Sequence, residues 1–239
     1  MAAMSLLSTR GLSRNFGGLK AVSDVDFDLP AGEVCALIGP NGAGKTTFVG
    51  MLSGRIAASA GQVFFDGREV TNLPAHQRIR AGMAYTFQIT SVFARLPVIE
   101  NLSLALGWRI SDEEARLAAA QDALRRVGIA DRSDQLAGDL SYGHQRLLEI
   151  AMGLCQQPKL LILDEPTQGL ADSEIADFIQ LIRGLAGEMT ILLIEHNIRL
   201  VMQTADVITV LNGGAVLASG TPDEIQANEA VQAAYLGTG

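Results

Sequence analysis

A glycine-rich segment near the start of the chain carries the residue types and the spacing that phosphate binding needs. It reads Gly-Pro-Asn-Gly-Ala-Gly-Lys-Thr-Thr and fits the pattern G-x-x-x-x-G-K-[ST] without a mismatch. Gly42 and Gly44 lack the Cβ atoms that would keep backbone N–H groups from closing around phosphate oxygens. A helix predicted to begin at Thr46 adds unpaired N–H groups and the positive end of its dipole. The segment therefore predicts a phosphate-binding loop.

The last side chains of this loop indicate a nucleoside triphosphate with Mg²⁺. Lys45 offers an ammonium group to the β- and γ-phosphates, and the Thr46 hydroxyl can ligate the metal. Residues 33–38 predict a buried strand and residues 46–52 a helix, which is the context that the pattern requires. This context disfavours the alternative of a glycine-rich turn with a chance lysine. The predicted nucleotide-binding residues here are Gly39, Pro40, Asn41, Gly42, Ala43, Gly44, Lys45, Thr46 and Thr47.

Two carboxylates stand at the end of a second apolar run. Residues 159–163 predict a central parallel strand, and Asp164 and Glu165 follow it directly. Alone, such a pair more often ends a strand than performs catalysis. Because the chain also carries a phosphate-binding loop on what we expect to be the same sheet, we expect Asp164 to bind Mg²⁺. Glu165 would then orient or deprotonate the attacking water.

Two further polar residues have weaker local signals. His196 comes directly after the strand predicted for residues 190–194. A lone histidine there is usually structural, but a position beyond the carboxyl end of a sheet strand fits a γ-phosphate contact. Gln88 lies where a helical insertion is predicted to begin, and we expect it to contact Mg²⁺ and the attacking water.

An aromatic residue and a second glycine-containing helix start complete the candidate residues. Phe16 lies in a turn, where it is either a core side chain or a stacking platform for adenine, and its local sequence leaves both open. Ser141, Gly143 and Gln145 lie at a predicted helix start, another anion-binding geometry. One nucleotide needs only one such loop within its own chain, so we expect Ser141 to act on a nucleotide bound by a second chain.

The rest of the sequence predicts an α/β chain with a helical insertion. Residues 6–29 favour strands, and their alternation places Val25, Phe27 and Leu29 on one face. Residues 89–140 favour helices, with Ser111 and Glu114 forming a capping box. Hairpins are predicted at residues 61–70 and 207–217, and a last helix is predicted after Thr221.

Composition excludes some classes of partner. The 239 residues carry a net charge of −8, which argues against a nucleic-acid partner because no broad basic face would release counterions. We expect neither a signal peptide at the start nor an apolar run of the ~20 residues that a membrane span needs. The expectation is a chain without its own membrane anchor, which can still dock on a membrane protein.

These motifs, in this order, resemble those of the nucleotide-binding subunits of ABC transporters over nearly the full length. Phe16 matches that family's adenine-stacking aromatic, residues 39–46 its phosphate loop and Gln88 its Q-loop glutamine. Residues 141–145 match its signature, Asp164 and Glu165 its magnesium ligand and base, residues 169–172 its dimer-contacting loop, and His196 its switch histidine.

The resemblance implies an α/β P-loop NTPase fold with a mixed RecA-like sheet core, an N-terminal antiparallel β-subdomain and an inserted α-helical subdomain. Residues 1–88 and 141–239 would form the core with its β-subdomain, and residues 89–140 the insertion. It also implies an ATPase that uses ATP and Mg²⁺. A second ABC ATPase subunit, identical or paralogous, and two transmembrane permease subunits would be its partners, with an extracytoplasmic substrate-binding protein acting indirectly. The chain would sit peripherally on the cytoplasmic face of the inner membrane.

A narrower resemblance concerns residues 16–22, 85–88, 98–102 and 234–237, which look like the ATPases of branched-chain amino acid, urea and short-chain amide uptake systems. Tyr142 and His144 depart from the signature, where the general family has glycine and a variable polar residue. The insertion is also shorter than in the amino-acid members. Alternatives are a lipopolysaccharide-export ATPase and a non-transport scaffold such as an iron–sulfur assembly subunit.

Overall fold

The structure of the protein, a computed structural model, describes residues 5–86 and 91–236. Gln88 therefore lies outside the described residues. The strands are β1 (Ser5–Phe16), β2 (Leu19–Pro30), β3 (Val34–Ile38), β4 (Ala60–Phe65), β5 (Arg68–Glu69), β6 (Met83–Thr86), β7 (Leu160–Asp164), β8 (Thr190–Ile194), β9 (Val207–Asn212) and β10 (Ala215–Gly220). The helices are α1 (Lys45–Leu52), α2 (Ala75–Ala81), α3 (Val98–Leu106), α4 (Glu113–Arg126), α5 (Tyr142–Leu154), α6 (Asp172–Leu185), α7 (Ile198–Thr204), α8 (Pro222–Ala227) and α9 (Glu229–Leu236).

An antiparallel sheet forms the N-terminal part of the chain, with strand order β2-β1-β4-β5. The predicted alternation along β2 is confirmed, because Val25, Phe27 and Leu29 are buried while Asp26 and Asp28 are exposed. The Phe27 ring packs edge-on against the Phe48 ring of α1, with centroids 5.5 Å apart. This sheet therefore packs against the helix that follows the glycine-rich loop.

A mixed sheet with strand order β10-β9-β3-β8-β7-β6 forms the centre of the fold. Its strands from β9 to β6 pair in parallel, and β10 pairs antiparallel with β9. Every residue of β3, β7 and β8 is buried, as expected of parallel strands covered on both faces. The predicted α/β architecture with a mixed core sheet and an N-terminal antiparallel sheet is confirmed.

Successive side chains of the central strands enter two different hydrophobic cores. Leu160 and Ile162 of β7 pack on the side of α1 and the antiparallel sheet. Leu161 and Leu163 pack on the opposite side, with α3, α4, α5 and α6. Because a strand alternates its side chains between two faces, the fold has three layers with the central sheet in the middle.

The residues described between 91 and 140 form α3, α4 and two short 3₁₀ turns. Their apolar side chains, such as Leu102 and Leu124, share one core with β7 and β8. The helical character predicted for this stretch is confirmed over its described residues, while the division into subdomains stays a prediction. The predicted capping box is wrong, because Asp112 rather than Ser111 caps α4, and its Oδ2 accepts the N–H of Ala115 at 2.8 Å.

Two helices were absent from the sequence-based expectations. One is α9, which follows α8. The helix capped by Thr221 is α8, so the prediction that it is the last helix is wrong. The other is α2, whose Arg78 is buried and donates from Nη1 to the carbonyls of Met51 and Leu52, both at 2.7 Å. Arg78 thus binds the last carbonyls of α1, where a cation also meets the negative end of the helix dipole. It fixes the end of α1 opposite to the glycine-rich loop.

Candidate active site

The glycine-rich loop joins β3 to α1, as predicted, and two of its glycines are required by close packing. A Cβ atom on Gly39 would lie 2.2 Å from the carbonyl oxygen of Leu211, and one on Gly44 would lie 2.4 Å from that of Ala21. Both distances are far below any that a real side chain tolerates. Gly42 differs, because its Cβ would meet nothing within 4 Å, while its φ of +78° favours glycine. Gly44 therefore serves the packing of the loop, and Gly42 its curvature.

Lys45 is the first residue of α1, and its ammonium group lies inside the loop. Nζ donates to the carbonyls of Gly39 at 2.7 Å and Pro40 at 3.1 Å. Burial lowers the pKa of the Lys45 ammonium below its ordinary value, and the charges of Glu165 and Asp164 oppose this shift. The two carboxylates favour the charged form of Lys45, and the buried ammonium is the group of the loop that suits it to bind a phosphate anion.

Glu165 and His196 meet beyond the carboxyl ends of two neighbouring strands. In the ladder between β7 and β8, Asp164 pairs with Ile194, so the loops after both strands begin side by side. Nε2 of His196 lies 2.5 Å from Oε1 of Glu165. Glu165 also has a φ of +48°, a left-handed conformation that is uncommon outside glycine and that concentrates at functional sites.

A single cleft of about 560 Å³ brings these residues together. This size is typical of small-molecule sites, which range over ~300–1,000 Å³. Leu19, Lys20 and Ala21, at the start of β2, are among the cleft's lining residues. The other lining residues are Asn41, Gly42, Ala43, Gly44, Lys45, Thr46, Thr47, Glu165, His196, Gly213 and Gly214. The structure thus brings together most of the phosphate-loop residues, Glu165 and His196.

Asp164 ends β7 as a buried carboxylate, and the Tyr85 hydroxyl of β6 donates to its Oδ2. Burial raises the pKa of the Asp164 carboxyl, while the hydrogen bond from Tyr85 and the charge of Arg55 lower it. Among the described residues no group of three or more His, Cys, Asp and Glu side chains could hold a metal. Mg²⁺ takes one or two carboxylates together with substrate phosphates, so a carboxylate and a hydroxyl are suitable ligand types. Thr46 lines the cleft and Asp164 is not among its described lining residues, so their shared Mg²⁺ role stays a prediction.

Sequence reasoning missed a buried carboxylate next to His196. Glu195 is 3% exposed, and its two oxygens accept hydrogen bonds from Thr167, His196 and Asn197. The available signal was an acidic residue directly after the apolar run of residues 191–194. A charge next to such a run is costly to bury unless it has hydrogen-bond partners.

Sequence reasoning also missed a buried ion pair on α5, between Nη1 of Arg146 and Oε2 of Glu149 at 2.9 Å. Burial raises the pKa of the Glu149 carboxyl, although Ser91 and Arg146 hydrogen-bond to it. Nη2 of Arg146 also donates to the carbonyl of Glu165 at 3.5 Å. The pair therefore links the helix that follows Ser141 to the backbone of Glu165.

The predicted second anion site lies apart from the cleft. Ser141 caps α5 and is exposed, and its Oγ lies 2.8 Å from Nδ1 of His144. Gln145 donates to the carbonyl of Leu140 at 3.2 Å. Gly143 packs against α6, where an added Cβ would lie 2.4 Å from Oε1 of Glu174. None of these residues is among the described residues that line the cleft, so the structure does not bring them to the Lys45 of their own chain.

Phe16 lies at the end of β1 with 44% of its surface exposed, which rules out the core interpretation. The guanidinium of Arg14 stacks over its ring at 4.5 Å from the centroid. Phe16 is not among the described residues that line the cleft, but Leu19 and Lys20 of the same hairpin are. Its role as an adenine platform stays a prediction, as does the Mg²⁺ role of Gln88, which lies outside the described residues.

Comparison with known proteins identifies the family. A family model described as ABC transporter matches residues 22–168. The chain belongs to the ABC transporter family. A second model, described as branched-chain amino acid ATP-binding cassette transporter, matches residues 215–239 of this ABC ATPase.

Curated relatives and solved structures agree with this family. The chain is 40% identical to the high-affinity branched-chain amino acid transport ATP-binding protein BraF of Pseudomonas aeruginosa, over 97% of this chain and 98% of that protein. It is 34% identical to the lipopolysaccharide export system ATP-binding protein LptB of Haemophilus influenzae, over 98% of each. A solved nucleotide-free ATP-binding cassette from an ABC transporter superposes with a TM-score of 0.89 at 27% identity, over 97% of this chain and 99% of that one.

The exposure of Phe16 gives a first prediction. Phe16→Ala should weaken ATP and GTP binding alike, by ~1–3 kcal/mol, because stacking does not read the edges of a base. Titration calorimetry with both nucleotides measures this. Lys45→Ala is the reference for lost binding, because it removes the ammonium of the loop, and Phe93→Ala, another exposed phenylalanine, is the matched control. Equal ATP affinity in the parent and Phe16→Ala would remove the platform.

Proposed function

We propose that this ABC ATPase binds ATP with Mg²⁺ and energises the uptake of branched-chain amino acids through a membrane transporter. The observation that carries the ATPase chemistry is the contact between Glu165 and His196 in the same cleft as the phosphate loop and Lys45. The transported substrate is proposed from the relatives, since BraF is described as a high-affinity branched-chain amino acid transport protein. The second family model, at residues 215–239, supports the same substrate class.

ATP binding follows from the loop and its helix. The ammonium of Lys45 would exchange its contacts with the carbonyls of Gly39 and Pro40 for the β- and γ-phosphate oxygens. The N–H groups at the start of α1 and its positive dipole end would bind the same oxygens. Thr46 and Asp164 would hold Mg²⁺, with Gln88 proposed as a further contact. The ion neutralises part of the phosphate charge when it is bound.

Hydrolysis follows from the pair of Glu165 and His196. Water attacks the γ-phosphorus, the bond to the oxygen bridging the β- and γ-phosphates breaks, and ADP leaves. The carboxylate of Glu165 accepts the proton of that water or orients the water. His196 contacts this carboxylate through Nε2. A γ-phosphate contact of His196 is part of the proposal, because the residue follows the carboxyl end of a sheet strand.

The partners are proposed from the incomplete site and from the family. Ser141, Gly143 and Gln145 lie outside the cleft of their own chain, so we propose that they meet ATP bound to a second ABC ATPase subunit, identical or paralogous. Among the described residues no helix is both long and apolar enough to cross a membrane. Two permease subunits would supply the membrane path, with an extracytoplasmic binding protein acting indirectly. The chain would then lie peripherally on the cytoplasmic face of the membrane.

A second candidate function is lipopolysaccharide export. It rests on the 34% identity to LptB, which covers 98% of both chains. Two amino-acid relatives are more similar, at 40% and 41% identity. The end of the chain also matches the branched-chain amino acid model, which favours uptake.

The proposed base gives a second prediction. Glu165→Gln should retain ATP affinity but lower kcat by roughly 10²–10⁴, the usual contribution of a positioned base. A phosphate-release assay measures kcat, and a fluorescent nucleotide titration measures affinity. Glu229→Gln is the control, because Glu229 is exposed at the start of α9 and outside the cleft lining. Hydrolysis by Glu165→Gln at the parent rate would place the base elsewhere.

The proposed substrate gives a third prediction. In a strain of the native host that lacks this gene, uptake of radiolabelled leucine should fall to background. The parent gene should restore uptake, while the gene for Glu165→Gln should not, although Glu229→Gln should. Leucine uptake that is unchanged by the deletion, together with altered lipopolysaccharide at the cell surface, would favour the export function instead.

A further inference from the structure

Glu195 is a buried acid that the chemistry described so far does not use. It is 3% exposed and directly follows the last residue of β8. A buried carboxylate is costly unless its oxygens are hydrogen-bonded, and those of Glu195 are fully provided for. Oε1 accepts the N–H of Thr167 at 3.0 Å and the hydroxyl of Thr167 at 2.5 Å. Oε2 accepts the N–H groups of His196 at 2.9 Å and Asn197 at 3.2 Å.

These four hydrogen bonds join the two loops that carry the catalytic pair. Thr167 lies two residues after Glu165, and His196 is the residue next to Glu195. The backbone gives a further connection, because the N–H of Glu165 donates to the carbonyl of Ile194 at 2.9 Å. The loop after β7 is therefore hydrogen-bonded to the loop after β8 at two places. One is the N–H of Glu165, and the other is Thr167, two residues later.

We propose that Glu195 is a positioning residue that holds Glu165 and His196 in contact for hydrolysis. This inference rests on the proposed function, in which Glu165 activates water. Glu165 adopts an uncommon left-handed backbone conformation, and such conformations persist only where neighbouring structure holds them. The hydrogen bonds between Glu195 and Thr167 hold the segment directly after Glu165. The hydrogen bond between Glu195 and the N–H of His196 holds the backbone of His196.

The site requires a carboxylate rather than an amide at this position. All three backbone groups that Glu195 meets are N–H donors, so both oxygens must accept. A glutamine would place its NH₂ group against either Thr167 or the N–H groups of His196 and Asn197, and at least one donor would lose its acceptor. Glu195→Gln therefore keeps the size of the side chain while loosening one of the two loops.

A purely structural role for Glu195 makes a different prediction. Loss of a buried hydrogen-bonding group would lower the fraction of folded protein and would act on every variant alike. A positioning role acts only through Glu165 and His196. Residues that act as a unit in one step are strongly non-additive, whereas independent effects multiply. Combining Glu195→Gln with Glu165→Gln therefore separates the two roles.

The experiment measures kcat, ATP affinity and thermal unfolding for the single and double variants. Glu195→Gln should lower kcat by roughly 10²-fold, the cost of a misplacement of ~1 Å in a catalytic group. Its ATP affinity should match the parent, since none of the hydrogen bonds of Glu195 reaches the phosphate loop. In the Glu165→Gln background, Glu195→Gln should cause no further loss in single-turnover hydrolysis of ATP labelled on its γ-phosphate.

Asp206→Asn is a control for the change from carboxylate to amide, because the exposed Asp206 carboxylate also accepts a backbone N–H beside a parallel strand. Its Oδ2 accepts the N–H of Val34 at 2.8 Å, at the opposite ends of β3 and β9 from the cleft. It should leave kcat unchanged. Thr167 offers milder variants in case Glu195→Gln does not fold. Thr167→Val removes the hydroxyl that bonds to Glu195 and should lower kcat, whereas Thr167→Ser keeps the hydroxyl and should have the parent kcat.

Three outcomes would overturn the inference: parent-like kcat in Glu195→Gln, multiplied losses in the double variant, or equal kcat in Thr167→Val and Thr167→Ser. Failure of the proposed function is a separate result. If Glu165→Gln hydrolyses ATP at the parent rate, the base assignment fails, and Glu195 has nothing to position. If Glu165→Gln is inactive while Glu195→Gln is not, only the inference about Glu195 fails.

Discussion

The parallel register of β3, β8 and β7 is the constraint on which the site depends. Leu37 of β3 and Asp164 of β7 both pair with Ile194 of β8, so all three strands end at one edge of the sheet. The glycine-rich loop, the loop of Glu165 and the loop of His196 leave from that edge. A shift of one residue in either ladder would turn each strand's side chains to the opposite face and separate these loops. The two hydrophobic cores on either side of the sheet oppose such a shift, because alternate side chains fill each of them.

Charged side chains are concentrated at this edge of the sheet, and each contacts a neighbour within the chain. Lys45 is buried in the loop, where desolvation lowers its ammonium pKa and the carboxylates of Asp164 and Glu165 oppose that shift. Asp164 is held by the Tyr85 hydroxyl, and Glu165 by His196. Each charged group thus has a neighbour that fixes its direction before any phosphate enters, which is the preorganisation that electrostatic catalysis requires.

The sequence was most informative where local chemistry allows few alternatives. A few adjacent residues specify the loop pattern and the apolar strands before the loop and before Asp164. The same holds for the histidine after β8. The structure brings Glu165 and His196 beside the loop. Glu195 and Arg78 could not be assigned, because each depends on partners that are far away in the chain. Thr167 lies 28 residues from Glu195, and Met51 and Leu52 lie 27 and 26 residues from Arg78. The cap of α4 was misplaced by one residue, since both Ser111 and Asp112 suit an N-cap and only the backbone path selects between them.

The central claim is that the edge of this sheet is half of a site, which Ser141 of a second chain completes. Mixing Lys45→Ala with Ser141→Arg protein, under conditions that exchange subunits, tests this claim most directly. Two different affinity tags allow the mixed dimer to be isolated and its ATP hydrolysis measured. In that dimer one interface combines both changes, while the other pairs an intact Lys45 with an intact Ser141. The account predicts hydrolysis in the mixed dimer by two proteins that are inactive alone. If each site is complete within one chain, the mixed dimer is as inactive as its parents, and that result would contradict the account.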